Sequence, residues 1–358
     1  MSKNKNRNND SLAKKEQKLA YKLLLPALII LFLVTIYPLG QVFVSSFTNM
    51  EFASDQETEF VGLDNYKELL GISVRELSPV IDEETGKQKV DEEGDPVYER
   101  PIEVLPREPH LHREITSFSV FGNKYVIGAS DRNFIGAIAN TIVFTVISVF
   151  IETILGLIIA LVVNSKFKFR GAMRGIMLVP WAVITVVAAR MWEWMFEPTR
   201  AGFFNMILDK LGAIESPLAF LSNAQLQLPA IIAIDVWKTT PFMALLILAG
   251  LQMIPKDLYE AAKVDGAGKI RQFFSITLPL LKPTITVALI FRTLDALRVF
   301  DVFQVVLSQR RYSMASYNYF QLISARKMGY SSAIGVIIFI LIFIFVLFYV
   351  KSMGVEME

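Results

Sequence analysis

Six stretches of this 358-residue chain are long and apolar enough to cross a lipid bilayer, and this constrains the fold more than any other feature. About 20 consecutive, mostly apolar residues are needed for a helix to span the hydrocarbon core. With no water there to satisfy the backbone, helices and closed barrels are the only spanning forms. The runs cover 23–44, 138–163, 176–196, 228–253, 284–307 and 333–350. The first follows a polar tail with no small-residue cleavage site and reads as an uncleaved anchor. Hydrophobic residues make up 53% of the chain against 20% charged. In a soluble protein that balance would expose large apolar patches. Gathered into spans, it predicts an all-α membrane protein.

Sidedness follows from lysine and arginine in the short flanks. The 1–22 tail holds seven basic and two acidic residues, and the turn after the second run has Lys166, Lys168, Arg170 and Arg174 with no acid. Residues 254–283 hold five basic against three acidic. All three fall on one face if both termini are cytoplasmic. The segment 46–134, on the opposite face, has nine basic and 19 acidic residues. Arg310, Arg311, Arg326 and Lys327 dissent, but late loops weigh less. The domain plan is then a cytoplasmic tail (1–22), a first helix (23–47), an extracytoplasmic loop (48–134), a five-helix core (135–352) and a short tail (353–358).

Within the outer loop, 71–132 alternates turn signals with short strand-like runs. The turns are expected at 84–86, 93–96 and Phe121-Gly-Asn123, the last between 118–120 and 125–127. This predicts a small β-rich or irregular insert. His110 and His112 read as exposed loop residues, with no third metal ligand at a useful spacing. The chain has no cysteine, so disulfides and thiolate chemistry are excluded.

Between the fourth and fifth runs, Leu258, Ala261, Ala262 and Asp265 fall three to four residues apart on one helical face. Gly266 and Gly268 permit a sharp bend. Phe273, Phe274 and Ile276 form a second apolar face, which Pro279 is expected to end. The fixed positions Glu260-Ala261-Ala262, Gly266 and Ile276-x-Leu278-Pro279 resemble the EAA loop of ABC importer permeases. Residues 60–66, 179–182, 235–238 and 292–301 are similar to the carbohydrate-uptake branch, nearest the larger permease of maltose-type systems. Residues Ser308–Ser313 replace the Gly-rich turn usual in that family.

The resemblance implies the type I importer fold. It implies a second homologous permease, two ATP-binding subunits and an extracytoplasmic binding protein as partners. Nucleic acid is not among them. It places ATPase coupling on Glu260, Ala261, Ala262, Asp265 and Gly266 within 255–279, and implies that the outer insert touches the binding protein. No cofactor is expected in this chain, because ATP and magnesium belong to the ATPase. Gly266-Ala-Gly-Lys-Ile270 lacks the upstream glycine and final Ser/Thr of a P-loop.

Ionisable residues at bilayer depth mark a pathway or a pair. Arg292, Asp295, Arg298 and Asp301 step by three, so a continuous helix would let Asp295 pair with both arginines and Asp301 with Arg298. Asp235 and Lys238 lie one turn apart, with Thr239 and Phe242 continuing that face. By resemblance, Asp235, Lys238, Thr239, Phe242, Arg292, Asp295 and Val299 line a sugar pathway, with Phe242 free to stack on a pyranose ring. Arg190 and Glu193 read as an interhelical pair, and Trp181, Trp192 and Trp194 as interface anchors. The implied function is alternating-access import of a di- or oligosaccharide such as maltose or trehalose. A polyol or glycerol phosphate importer is the alternative. An intramembrane enzyme would need a nucleophile and base or a metal cluster at depth, and a six-span channel would need a filter segment. Neither motif is present in the sequence.

Overall fold

The computed structural model describes residues 3–82, 88–91 and 94–352. The turn expected at 84–86, the first residue of that at 93–96, and the 353–358 tail lie outside the described residues. The chain divides into two compact units, Met1–Asn65 with Gln321–Val336, and Tyr66–Phe320 with Ile337–Glu358.

In the first unit, α1 (Lys3–Leu31) continues through a π turn at Phe32–Ile36 into α2 (Tyr37–Ser45). Pro38 cannot donate the N–H that α-helical pairing needs, and the π turn sits just where that bond is missing. The spanning portion is Lys15–Ser45. Beyond it, Phe52 N–H donates to Arg326 O at 2.7 Å and Gly329 N–H to Met50 O at 2.8 Å. A side chain at Gly329 would collide with the Thr48 carbonyl, so glycine is required by close approach.

In the second unit, α3 (Asp64–Leu70) leads to a three-stranded antiparallel sheet in the order β1-β3-β2. The strands are β1 (Ile72–Leu77), β2 (Arg113–Val120) and β3 (Asn123–Ala129), with α4 (Pro101–Val104) between the first two. Phe121 and Gly122 both have positive φ, the geometry of a tight two-residue hairpin, as the sequence signal there indicates. Leu77, Leu105 and Val126 form its small core. His112 departs from expectation. It is half-buried, with Nδ1 2.8 Å from Ser73 Oγ and Nε2 3.0 Å from Ser130 Oγ.

Next come α5 (Arg132–Asn164), α6 (Arg170–Ile176), α7 (Val179–Ala182), α8 (Thr185–Met195) and α9 (Phe203–Lys210). Then follow α10 (Ala224–Met253), α11 (Lys256–Val264), α12 (Lys269–Gln272), α13 (Leu278–Ala296), α14 (Met314–Tyr319) and α15 (Met328–Ser352). Asp131 caps α5, its Oδ1 accepting from Phe134 N–H at 2.9 Å, and Oδ2 accepts from the Tyr317 hydroxyl at 2.6 Å.

Two spans differ from the sequence reading. The third is not one straight helix: 170–182 and 185–195 meet at 88°. Val183 and Ile184 are extended at the break, which follows Pro180 by a few residues. The fifth runs Lys269–Ala296, earlier than 284–307. Pro279 does not end it, because a π turn at Phe273–Thr277 places the missing N–H where regular pairing is already interrupted. Past Ala296 the backbone leaves helical geometry, so the three-residue stepping of Arg298 and Asp301 does not hold.

The helices α5, α10 and α13 pack closely. A side chain at Gly156 would press on the Met243–Ala244 backbone, and one at Gly250 on Thr284. Small residues at crossings are how membrane helices approach without a hydrophobic drive between them. Phe144, Ile231, Ile234, Trp192, Phe303 and Leu307 fill the core above. Trp192 is therefore a core residue stacked at 5.5 Å on Phe204, not an interface anchor. Arg190 and Glu193 pair at 2.6 Å within one helix rather than between helices. The dissenting Arg310 and Arg311 donate to the backbone carbonyls of Leu221 and Ala224.

Candidate functional site

The polar centre of the second unit lies where α5, α10 and α13 meet. Arg292, on α13, is only 2% exposed. Its Nε donates to Glu152 Oε2 at 2.5 Å and its Nη2 to Glu152 Oε1 at 3.0 Å, a two-pronged grip on a carboxylate from α5. Nη2 also pairs with Asp235 Oδ2 from α10, and Nη1 with Asp295 Oδ2 one turn on, at 3.1 Å. A planar guanidinium suits this role because its donors spread in a fixed fork. Thr239 Oγ1 donates to Glu152 Oε1 at 2.5 Å and lies 2.7 Å from Asp235 O. Glu152 therefore ties all three helices at one buried point.

Lys238 does something else. Its Nζ donates to Val183 O at 2.7 Å and Trp181 O at 3.3 Å, the carbonyls left unpaired at the break of the third span. A cation at a helix C-terminus is favourable for the same electrostatic reason. It makes no ion pair with Asp235 among the described residues, nor does Arg298 with Asp295 or Asp301. Arg298 Nε instead donates to Leu294 O at 3.2 Å.

Asp235, Lys238, Thr239, Arg292, Asp295 and Val299 line one cavity of about 190 Å³, together with Thr185, Arg298 and Asp301. Six of the seven residues singled out in the sequence thus converge. Phe242 does not join them: one face of its ring is covered by Trp181 at 5.8 Å and 10°. The Asp295 side chain is 69% exposed, so this carboxylate is open to the cavity while its neighbours are locked. Glu152 interrupts the otherwise apolar run 138–163. A carboxylate alone in a span has to find a cation, and that signal was available. Among the described residues no group of three or more His, Cys, Asp or Glu is placed to hold a metal.

The second element singled out in the sequence is the loop between α10 and α13. Helix α11 carries Glu260, Ala261 and Ala262, and Asp265 is its C-cap. Gly266 follows at φ +77, with Ala267 N–H donating to Ala262 O at 2.8 Å and Gly266 N–H to Lys263 O at 3.0 Å. This is a Schellman stop, and its left-handed position favours glycine. Gly268 is not strained, standing at φ −69 as the N-cap of α12. The loop is braced at its base by Tyr259 Oη and Thr277 Oγ1, 2.9 Å apart. Its tip is bare: Val264 is 88% exposed and Ile270 78%.

Spans joined by a buried charge clamp, a polar cavity beside it and a helix–turn–helix between two spans are the architecture of a membrane translocation subunit. Residues 152–352 match the family described as the binding-protein-dependent transport system inner membrane component, and the chain belongs to that family of permeases. It is 45% identical over 67% of its length to the trehalose/maltose transport system permease protein MalF of Thermococcus litoralis, covering 83% of that protein. It is 31% identical to the trehalose transport system permease protein SugA of Mycobacterium tuberculosis, over 95% of this chain and 90% of that one. Among solved structures it resembles a chain of a bacterial alginate ABC transporter in complex with an alginate pentasaccharide-bound periplasmic protein. The TM-score is 0.69 at 20% identity, covering 95% of both chains, so that likeness speaks to the fold. The protein is a multi-pass, non-catalytic permease subunit.

Proposed function

We propose that this chain is one of two homologous permeases of an ATP-driven importer for a neutral di- or oligosaccharide, an α-glucoside such as trehalose or maltose. The observation that carries the substrate class is the cavity lining. Asp235, Asp295 and Asp301 line it with Lys238, Arg292 and Arg298, and Glu152 also holds Arg292, so the lining offers no surplus cation to an anionic ligand. Sugar hydroxyls, which both donate and accept, suit such a lining. A glycerol phosphate would meet the exposed Asp295 carboxylate and is disfavoured. The naming of the relatives as trehalose and maltose permeases supports the same class. The cavity volume lies below the roughly 300–1,000 Å³ usual for ligand sites. A second permease facing this one would supply the remaining wall.

Coupling runs through α11 and the Gly266 stop, which two ATP-binding subunits grip from the cytoplasm; ATP and magnesium are bound there. Both termini then lie in the cytoplasm, and the β1–β3 insert faces the binding protein outside. ATPase closure moves the loop as a lever, α13 moves with it, and the cavity opens outward to accept sugar. The test is uptake by proteoliposomes holding the whole complex with its binding protein. Saturable, ATP-dependent entry of trehalose or maltose is expected. Transport of glycerol phosphate with neither sugar would overturn the reading.

A further inference from the structure

On the membrane face that carries the 256–279 loop, a second cavity of about 510 Å³ lies between the end of α5, the start of α6 and the end of α10. Its lining holds Lys166, Arg170, Arg174 and Lys256 and no carboxylate. Among the described residues none of the four forms an ion pair, and Arg174 Nε is buried without a hydrogen-bond partner. Four unneutralised cations around one hollow repel each other, and an anion relieves that repulsion. Leu251 and Ile254, both buried, give the cavity an apolar wall, with Tyr259 closing one side.

The surroundings say which anion. The hollow sits where three spans end, and span ends are where a crossing helix meets the headgroup region. Phe169 is 79% exposed and Met253 82%, and Phe167 and Ile176 are exposed beside the cations. Phe169 is held outward by a left-handed backbone at φ +68 just before α6. Aromatic and apolar side chains interleaved with basic ones at a span end anchor in the interface, and basic pockets between spans take lipid phosphates. We propose that this cavity is a binding site for the phosphodiester headgroup of an anionic phospholipid. Arg170 and Arg174 grip the phosphate, Lys166 and Lys256 flank it, and the acyl chains lie along the exposed apolar residues. The site borders the base of α11 through Tyr259, so the lipid braces the coupling loop. The inference does not depend on which sugar is carried or on which way the termini face.

The test is lipid retention by the full chain extracted from bilayers mixing phosphatidylglycerol and phosphatidylcholine, read by native mass spectrometry. The wild type is expected to retain phosphatidylglycerol preferentially. Inorganic phosphate should compete weakly, since it lacks the acyl chains; competition as strong as that of the lipid would overturn the lipid assignment. Each cation near an anionic lipid contributes enough that Arg170→Gln/Arg174→Gln should lower the preference by about thirtyfold. Lys166→Gln/Lys256→Gln, the milder pair, should lower it in the same direction. An unchanged preference in both pairs refutes the site. If instead phosphatidylglycerol stays and a co-purifying ATPase is lost, the cations face a protein and the proposal fails. A photoreactive phosphatidylglycerol on the wild type needs no variant to fold. Labelling within 164–174 or 251–259 is expected, and labelling only elsewhere overturns the inference.

Discussion

Arg292→Met is the sharpest probe of the buried centre. The substitution keeps much of the side-chain volume but removes the cation from two buried carboxylates. Glu152 is fully buried and the Asp235 side chain 9% exposed, so neither can turn to solvent. Removing one partner of such a group costs about 3–5 kcal/mol, because the charges left behind are uncompensated. Glu152→Gln is gentler. It leaves Asp235 and Asp295 on the guanidinium and loses one charge-assisted grip, a cost of about 1.5–3 kcal/mol. If Glu152 and Arg292 act on each other, the double variant Glu152→Gln/Arg292→Met costs less than the sum of the singles, by roughly 1–3 kcal/mol. The assay is reversible unfolding of the purified chain in a defined detergent, followed by tryptophan emission. Strict additivity of the two substitutions would refute the network as the tie between α5, α10 and α13.

Other outcomes follow from single contacts. Gly266→Ala forces a Cβ into a left-handed position, about 1–2 kcal/mol of local strain, and should uncouple substrate-stimulated ATP hydrolysis while expression and membrane insertion persist; normal stimulation would contradict the lever. Lys238→Met strips the donor from the Trp181 and Val183 carbonyls and should lower transport through a loosened third-span break, seen as faster amide exchange at 183–186. Protection equal to wild type would show the bond is idle. Asp131→Ala removes the α5 cap and the Tyr317 partner together and should cost about 2–4 kcal/mol in the same unfolding assay. Asp131→Asn, which can still cap, should recover part of it.

Much of this arrangement was legible from residue order alone. Long apolar runs have one physical solution in a bilayer, so the spans could be counted without coordinates. The Gly266 stop was legible because glycine takes a left-handed φ at the least cost. The boundaries of the fifth span were not, because Pro279 reads as a terminator unless a π turn precedes it, and no local pattern announces one. The Arg292–Asp295 pair was legible and is present at 3.1 Å, but the other carboxylate partners of Arg292 were not. Charges three apart on one strand of sequence suggested pairing along a helix, whereas Glu152 lies 140 residues away and reaches the same point only once α5 and α13 are packed. The stacking of Phe242 was hidden for a similar reason: its partner Trp181 comes from another helix.

A chain that moves sugar but burns no ATP has to receive the work of a separate ATPase, here proposed to pass through its 255–279 loop. The most direct measurement is affinity purification of the tagged full chain from its own membrane, followed by ATP hydrolysis with and without loaded binding protein. A second permease and an ATP-binding subunit are expected to come through together, with hydrolysis rising when the loaded binding protein is added. A monodisperse assembly of this chain alone, with neither companion and no stimulated hydrolysis, would contradict it.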